Sequence, residues 1–200
     1  MIENLNDLKN YTDARARRTP GIAAHVELHE PGIGADALSR LSALNLPPVY
    51  ERCLRTFNLF GISLGYFSLW PDSIRSGNMS EALLQAAAGN FRGAHEATHA
   101  GLLIVAQEES NLVCVARSND IKPDTVTLLD VMRSPTVERH CIATDFEKFL
   151  LLAGNLNDIG LRYEEDASQG MDQMDQCCRY FGCTTEQSAY WLSKAEELLL

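Results

Sequence analysis

Behind the two prolines of NLPPVYERCLRTFNLFG, Tyr50, Cys53, Leu54 and Phe57 recur at i, i+3, i+4 and i+7. That spacing puts four apolar side chains on one stripe and predicts a helix opening at the prolines, where a first turn needs no amide donor. Just before it, DALSRLSAL (36–44) sets Leu38, Leu41 and Leu44 on a shorter helical stripe. ISLGYFSLWP (62–71) nearly alternates and stops at a proline, as a strand does. In NMSEALLQAAAGN, Asn78 stands three residues before Glu81, a capping arrangement for a helix up to Gly89.

Two apolar runs, LLIVA (102–106) and NLVCVA (111–116), flank the polar QEES, and DTVTLLDV (124–131) follows. With 62–69 they predict an antiparallel sheet whose hairpin turn is QEES. TDFEKFLLLAG (144–154) pairs Thr144 with Glu147 as a capping box, spaces Phe146, Phe149, Leu150 and Ala153 on one face, and ends at Gly154. In the tail, Met171, Met174, Cys178 and Phe181 precede Gly182, and Thr184 stands three before Gln187 in TTEQSAYWLSKAEELLL. These predict a C-terminal helical pair packed on the main domain. TPGIAAHVELHEPGIGAD (19–36) reads as a loop that is strand-like at AHVEL. Internal repeats and low-complexity segments are absent.

Composition narrows the class of protein. Two hundred residues, 46% hydrophobic and 22% charged, with no apolar run near 18 residues, fit one globular domain and no membrane span. The first residues mix both charge signs and show no apolar secretory core, so the cytoplasm is the expected compartment. A formal charge of −10 repels phosphate backbones, which argues against direct nucleic-acid binding. The same charge favours encounter with a basic protein partner. Six cysteines in a chain able to bury its own core read as free thiols, with CCRYFGC a helix face turned inward.

One short motif competes with that picture. His95, Glu96 and His99 spell HEATH, the H-E-x-x-H pattern in which two histidines hold zinc and the glutamate acts as base. Gly93 and Gly101 confine any helix there to about two turns. The longer zincin pattern wants glycine at 102 and histidine at 105, where Leu102 and Val105 stand. A zinc hydrolase and a solvated short helix are the two readings. His25 and His29 could join the pair in a four-histidine site, and Glu108 or Glu109 are the nearest acids for a third ligand. No G-x-S-x-G elbow, P-loop or dinucleotide fingerprint occurs. His140 and Cys141 are adjacent, so in a strand they face opposite ways.

The order of features is more informative than any one motif. LPPVYERCLRTFNLFG, LGYFSLWP, LLIVAQEESNLVCVA, VTLLDV and IATDFEKFLLLAGNL together resemble the SUKH superfamily, which includes the Smi/Knr-type proteins. The matching pieces are Leu46 to Tyr50, Phe57 to Gly61 and Ile142 to Leu150; Leu59 and Phe60 depart from the family's usual Asn-Gly turn. The resemblance covers a core of residues 44–156, leaving 1–43 as an N-terminal extension and 157–200 as a C-terminal helical extension of one domain. It implies an α+β fold with a central, mostly antiparallel sheet flanked by helices, no enzymatic activity and no cofactor.

Bacterial members of that family look like immunity proteins of polymorphic toxin systems, which bind a cognate toxin, often a nuclease or other nucleic-acid-modifying domain, and occlude its active site. Eukaryotic relatives are regulatory scaffolds, a further alternative. On the immunity reading, the expected partner surface is acidic: Glu108 and Glu109 in the hairpin, and Glu164, Glu165, Asp166, Asp172 and Asp175 before and along the first tail helix. For each, a merely solvated face is the competing explanation.

Overall fold

The computed structural model describes residues 1–71, 77–89, 93–120, 122–131 and 137–200. Its centre is a sheet whose strands follow chain order: β1 (Ser63–Leu64), β2 (Phe67–Ser68), β3 (Leu102–Glu108), β4 (Asn111–Ala116), β5 (Val126–Asp130) and β6 (Glu138–Ala143). Every neighbouring pair is antiparallel. The fold is α+β, with a central antiparallel sheet flanked by helices.

Both faces of the middle strands are covered, which is why LLIVA and NLVCVA read as unbroken apolar runs instead of alternating ones. Leu103, Val105, Val113, Val115, Val126 and Leu128 face the main core. Leu102, Ile104, Leu112, Cys114 and Leu129 face a smaller layer supplied by Ala86, Ala94 and Ala97. Those alanines come from α5 (Met79–Ala88) and α6 (Ala94–His99). Small side chains let short helices lie close against the strands.

The main core is aromatic at its centre. On α4 (Pro48–Thr56) Tyr50 meets Phe146 edge-on at 4.6 Å, and Phe146 lies 5.5 Å from Phe149, one turn on along α7 (Phe146–Arg162). Phe67 of β2 packs on Phe149 at 5.2 Å and on Trp191 at 5.6 Å. Trp191 belongs to α9 (Thr185–Leu199), which follows α8 (Ala167–Tyr180) as the C-terminal helical pair. Its Nε1 donates to Ile142 O at 2.8 Å, fixing α9 to β6.

Several local expectations give way. Residues 5–18, which carry no clear apolar stripe, form α1 (Leu5–Arg18), capped by Asn4 and buried through Leu8, Thr12 and Ala16. AHVEL is not a strand: Ala23–Val26 is a single helical turn, α2, closed by Glu27 N donating to Ala23 O at 3.0 Å. The alternation of Val26 and Leu28 gives the strand-like signal, but the helical turn ends at Val26 and Leu28 is buried from the segment beyond it. The DALSRLSAL helix, α3, is shorter, Ala35–Arg40, and a 3-10 turn carries Leu44 inward. ISLGYFSLWP is a tight hairpin and not one strand, because Gly65 takes φ +57° and turns the chain between β1 and β2. The helix expected up to Gly89 runs over Met79–Ala88, with Gly89 as its left-handed cap.

Two boundaries of α7 also move. Asp145, not Thr144, is its cap and accepts from Lys148 N at 2.9 Å. Gly154 does not stop it, and the helix continues to Arg162. A Cβ at Gly154 would lie 2.5 Å from Leu8 Cδ1, so this glycine serves the close crossing of α1 on α7. β6, with its run of charged and polar residues, carries no strand signal in the sequence and is held by pairing with β5.

One buried cluster takes in Ile2, Leu8 and Leu28 from before residue 44 and Met174, Trp191 and Leu199 from after residue 156. No described helix is long and apolar enough to cross a membrane.

Candidate functional site

Glu108 is the first candidate to be relocated. β3 runs through it, so the hairpin turn is only Glu109 and Ser110, with Glu109 in the left-handed region at φ +50°. The Glu108 side chain points inward, the residue only 1% exposed, and its Oε1 lies 2.5 Å from Lys194 Nζ on α9. Lys194 also reaches Glu197 at 2.8 Å and sits 5.8 Å over the Tyr66 ring. The contact with Glu108 is a charge-to-charge approach without hydrogen-bond alignment. Burial, and then the Glu108 charge, push the neighbouring Tyr190 phenol well above its usual range. Glu108 therefore clamps α9 to the sheet and, contrary to expectation, is not available on the surface for docking; Glu109 is exposed.

The other carboxylates stay at the surface. Tyr163 caps the end of α7, and Glu164, Glu165 and Asp166 form an exposed acidic turn before α8. Asp166 accepts from Gln169 N at 3.1 Å, so it also caps α8. Gly170, Met174, Cys177 and Cys178 turn inward, which leaves Gln169, Asp172, Gln176 and Arg179 on the exposed stripe. Asp175 is half-buried and paired with Arg179. Glu164, Glu165 and Asp172 make no ion pair among the described residues. These three carboxylates thus place unpaired negative charge at the α7–α8 turn and on the first half of α8.

HEATH forms most of α6. Ala94 and Ala97 pack on the sheet, and His95, Glu96 and His99 face solvent. Gly93 starts this helix with φ +81°; a Cβ there would lie 2.3 Å from Val131 Cγ1. The motif's helical register thus follows from a tight seat on the outer sheet face. The two imidazole rings lie 6.1 Å apart, and no third histidine, cysteine or carboxylate joins them in a metal-holding group among the described residues. His25 Nδ1 lies 3.4 Å from Gly61 O, and His29 Nδ1 lies 3.8 Å from Glu27, so the four histidines do not converge.

A groove of about 570 Å³ on the same outer face went unread in the sequence. Thr127, Arg139 and Cys141 line its β5–β6 side, and Glu186 closes it from α9. Gln187 Nε2 lies 3.3 Å from Cys141 Sγ, and Cys141 N donates to Glu186 Oε1 at 3.2 Å. These bonds tie β6 to the start of α9. His140 does not share them and lies instead 3.6 Å from Glu138. The cysteines are free thiols, four of them buried, and burial holds Cys53 up to about 12. Cys177 and Cys178 point into the core from α8.

Comparison with protein-family models, with curated proteins and with solved structures yields no match. The class defined by fold and surface is an α+β protein with a helix-flanked antiparallel sheet and an acidic α7–α8 turn.

Proposed function

We propose that this chain is a non-catalytic binding protein of the SUKH type, an immunity protein that docks on a cognate toxin and occludes its active site. The observation that carries the reading is the exposed, unpaired acidic group of Glu164, Glu165 and Asp172; of the expected interface acids, Glu108 is withdrawn into the core. The helix-flanked antiparallel sheet agrees with the architecture that the SUKH resemblance implies. A nuclease cleft rich in lysine and arginine is the complementary partner, because opposite potentials steer association and suppress wrong pairings. The expected setting is the cytoplasm, with no cofactor.

Co-purification of the tagged chain from its host tests this reading. The expected result is one basic partner whose toxic activity falls to baseline at equimolar ratio. Reversing Glu164, Glu165 and Asp172 to lysine should slow association about tenfold or more at low salt and leave folding unchanged. Recovery of a host regulatory protein would favour a scaffold. One zinc per chain, lost in His95→Ala and with no partner recovered, would replace the reading with the hydrolase.

A further inference from the structure

On a chain of net charge −10, one cavity is lined by three arginines against a single carboxylate, Asp158. It measures about 590 Å³ and lies between the end of α1 and the end of α7, with Tyr11, Arg15, Arg18 and Arg162 around it and Ile22 and Leu161 as an apolar wall. That size falls in the range of small-molecule sites. Leu161 is 59% exposed, so its side chain is accessible to a ligand in the cavity.

The polar groups are arranged with unused donors. Arg15 Nη1 donates to Asn157 Oδ1 at 3.2 Å, and Asn157 Nδ2 donates onward to Tyr11 Oη at 2.6 Å. The phenol therefore acts as an acceptor and keeps its own proton, which has no acceptor among the described residues. Asp158 pairs with Arg162, while Arg15 and Arg18 form no ion pair among the described residues. Burial pushes the Tyr11 phenol up, and Asn157 and the charges of Arg15, Arg162 and Arg18 pull it the other way. All three guanidiniums thus lie within electrostatic reach of one hydroxyl.

An arginine in a last helical turn has an ordinary explanation, the partial negative charge of the helix end. Arg18 ends α1 and Arg162 ends α7, so each alone requires no ligand. That explanation does not account for Arg15, held by a buried asparagine, or for the undonated phenol, or for a cleft on which all of them converge beside an apolar wall.

We propose that this cavity binds a small phosphate monoester carrying an apolar group. Three guanidiniums and a hydroxyl offer more donors than the two oxygens of a carboxylate accept. A phosphomonoester has three terminal oxygens and a charge of about −1.5 to −2, and it suits guanidinium forks. Its apolar group lies against Ile22 and Leu161. The proposal does not rest on the toxin-binding reading, and neither outcome of its test bears on that reading.

Isothermal titration of the full chain with phenyl phosphate, inorganic phosphate and phenylacetate provides the test. One site per chain is expected, with phenyl phosphate bound most tightly. Arg18→Glu should weaken it about tenfold or more, and Arg17→Glu, an equal charge change on an exposed side chain outside the cavity, less than about threefold. Both arginines are exposed, so both variants are expected to fold. The proposal is overturned by the absence of saturable heat with phenyl phosphate, by equal affinity for phenylacetate or inorganic phosphate, or by equal losses in the two variants.

Discussion

Asn155 holds Ile2 at two points across 153 residues of chain: its Oδ1 accepts from Ile2 N at 2.8 Å and its Nδ2 donates to Ile2 O at 2.8 Å. The same Nδ2 also reaches Leu151 O at 2.9 Å. A buried asparagine in α7 thus does for the first residues what a neighbouring strand would do. Asn155→Leu keeps the volume but leaves both Ile2 backbone groups unpaired in the core. The expected loss is about 2–3 kcal/mol in urea unfolding, with faster amide exchange through α1. Unchanged exchange in α1 would show that its packing through Leu8 suffices.

Gly154 sits one residue before that asparagine. Alanine there gains about 1 kcal/mol in helix propensity but drives its methyl toward Leu8, which is fully buried and has little room to move. Overpacking costs about 1–3 kcal/mol, so Gly154→Ala should be destabilising by about 1 kcal/mol net. In a Leu8→Ala background the obstacle is gone and the same substitution should stabilise. A double-mutant cycle that finds the two effects additive rules the mechanism out.

Lys194 and Glu108 make an asymmetric pair, because the Lys194 side chain keeps 18% exposure and that of Glu108 only 2%. Lys194→Ala strands a carboxylate in the core and should cost about 2–3 kcal/mol, at or below the low end for fully buried pairs. Replacing both residues, Lys194→Met with Glu108→Leu, should recover at least half of that loss. Thermal unfolding of the three variants decides; a double variant as weak as the single one would mean that the charge pair itself is needed.

Stability should fall on the alkaline side. An unfolded Cys53 thiol releases its proton near 9.0 and the folded one near 12, held up first by burial and then by Glu147. Between those values the unfolded chain binds fewer protons than the folded one, so raising pH favours unfolding. Stability from this thiol is complete below pH 9.0 and lost on the way to 12. Cys53 alone accounts for about 2 kcal/mol between about pH 8 and about pH 10.5. Burial of Tyr50 and Cys177 acts in the same direction. Urea midpoints of the parent and Cys53→Ala over this range should converge as pH rises; parallel curves would contradict the assignment.

The elements with many periodic positions were legible in the sequence. The stripe of Tyr50, Cys53, Leu54 and Phe57 became the inner face and end of α4, and the runs at 102, 111 and 126 became neighbouring antiparallel strands. Asn78 and Thr184 cap the helices they were expected to cap. These features are local: a stripe or a cap depends on residues within two turns.

What depends on distant partners was decided only in three dimensions. α1 has no strong stripe of its own and owes its place to Leu8 against Gly154 and to Asn155 at Ile2. β6 is a strand because β5 offers it a ladder, and Glu108 is internal because Lys194 arrives from 86 residues later in the chain. HEATH keeps its helical spacing without a third ligand, and Arg15, Arg18 and Arg162 converge although 144 residues separate the last two. Sequence pattern fixes which faces must be buried; only the packed chain determines which charges are buried with them and which ones meet.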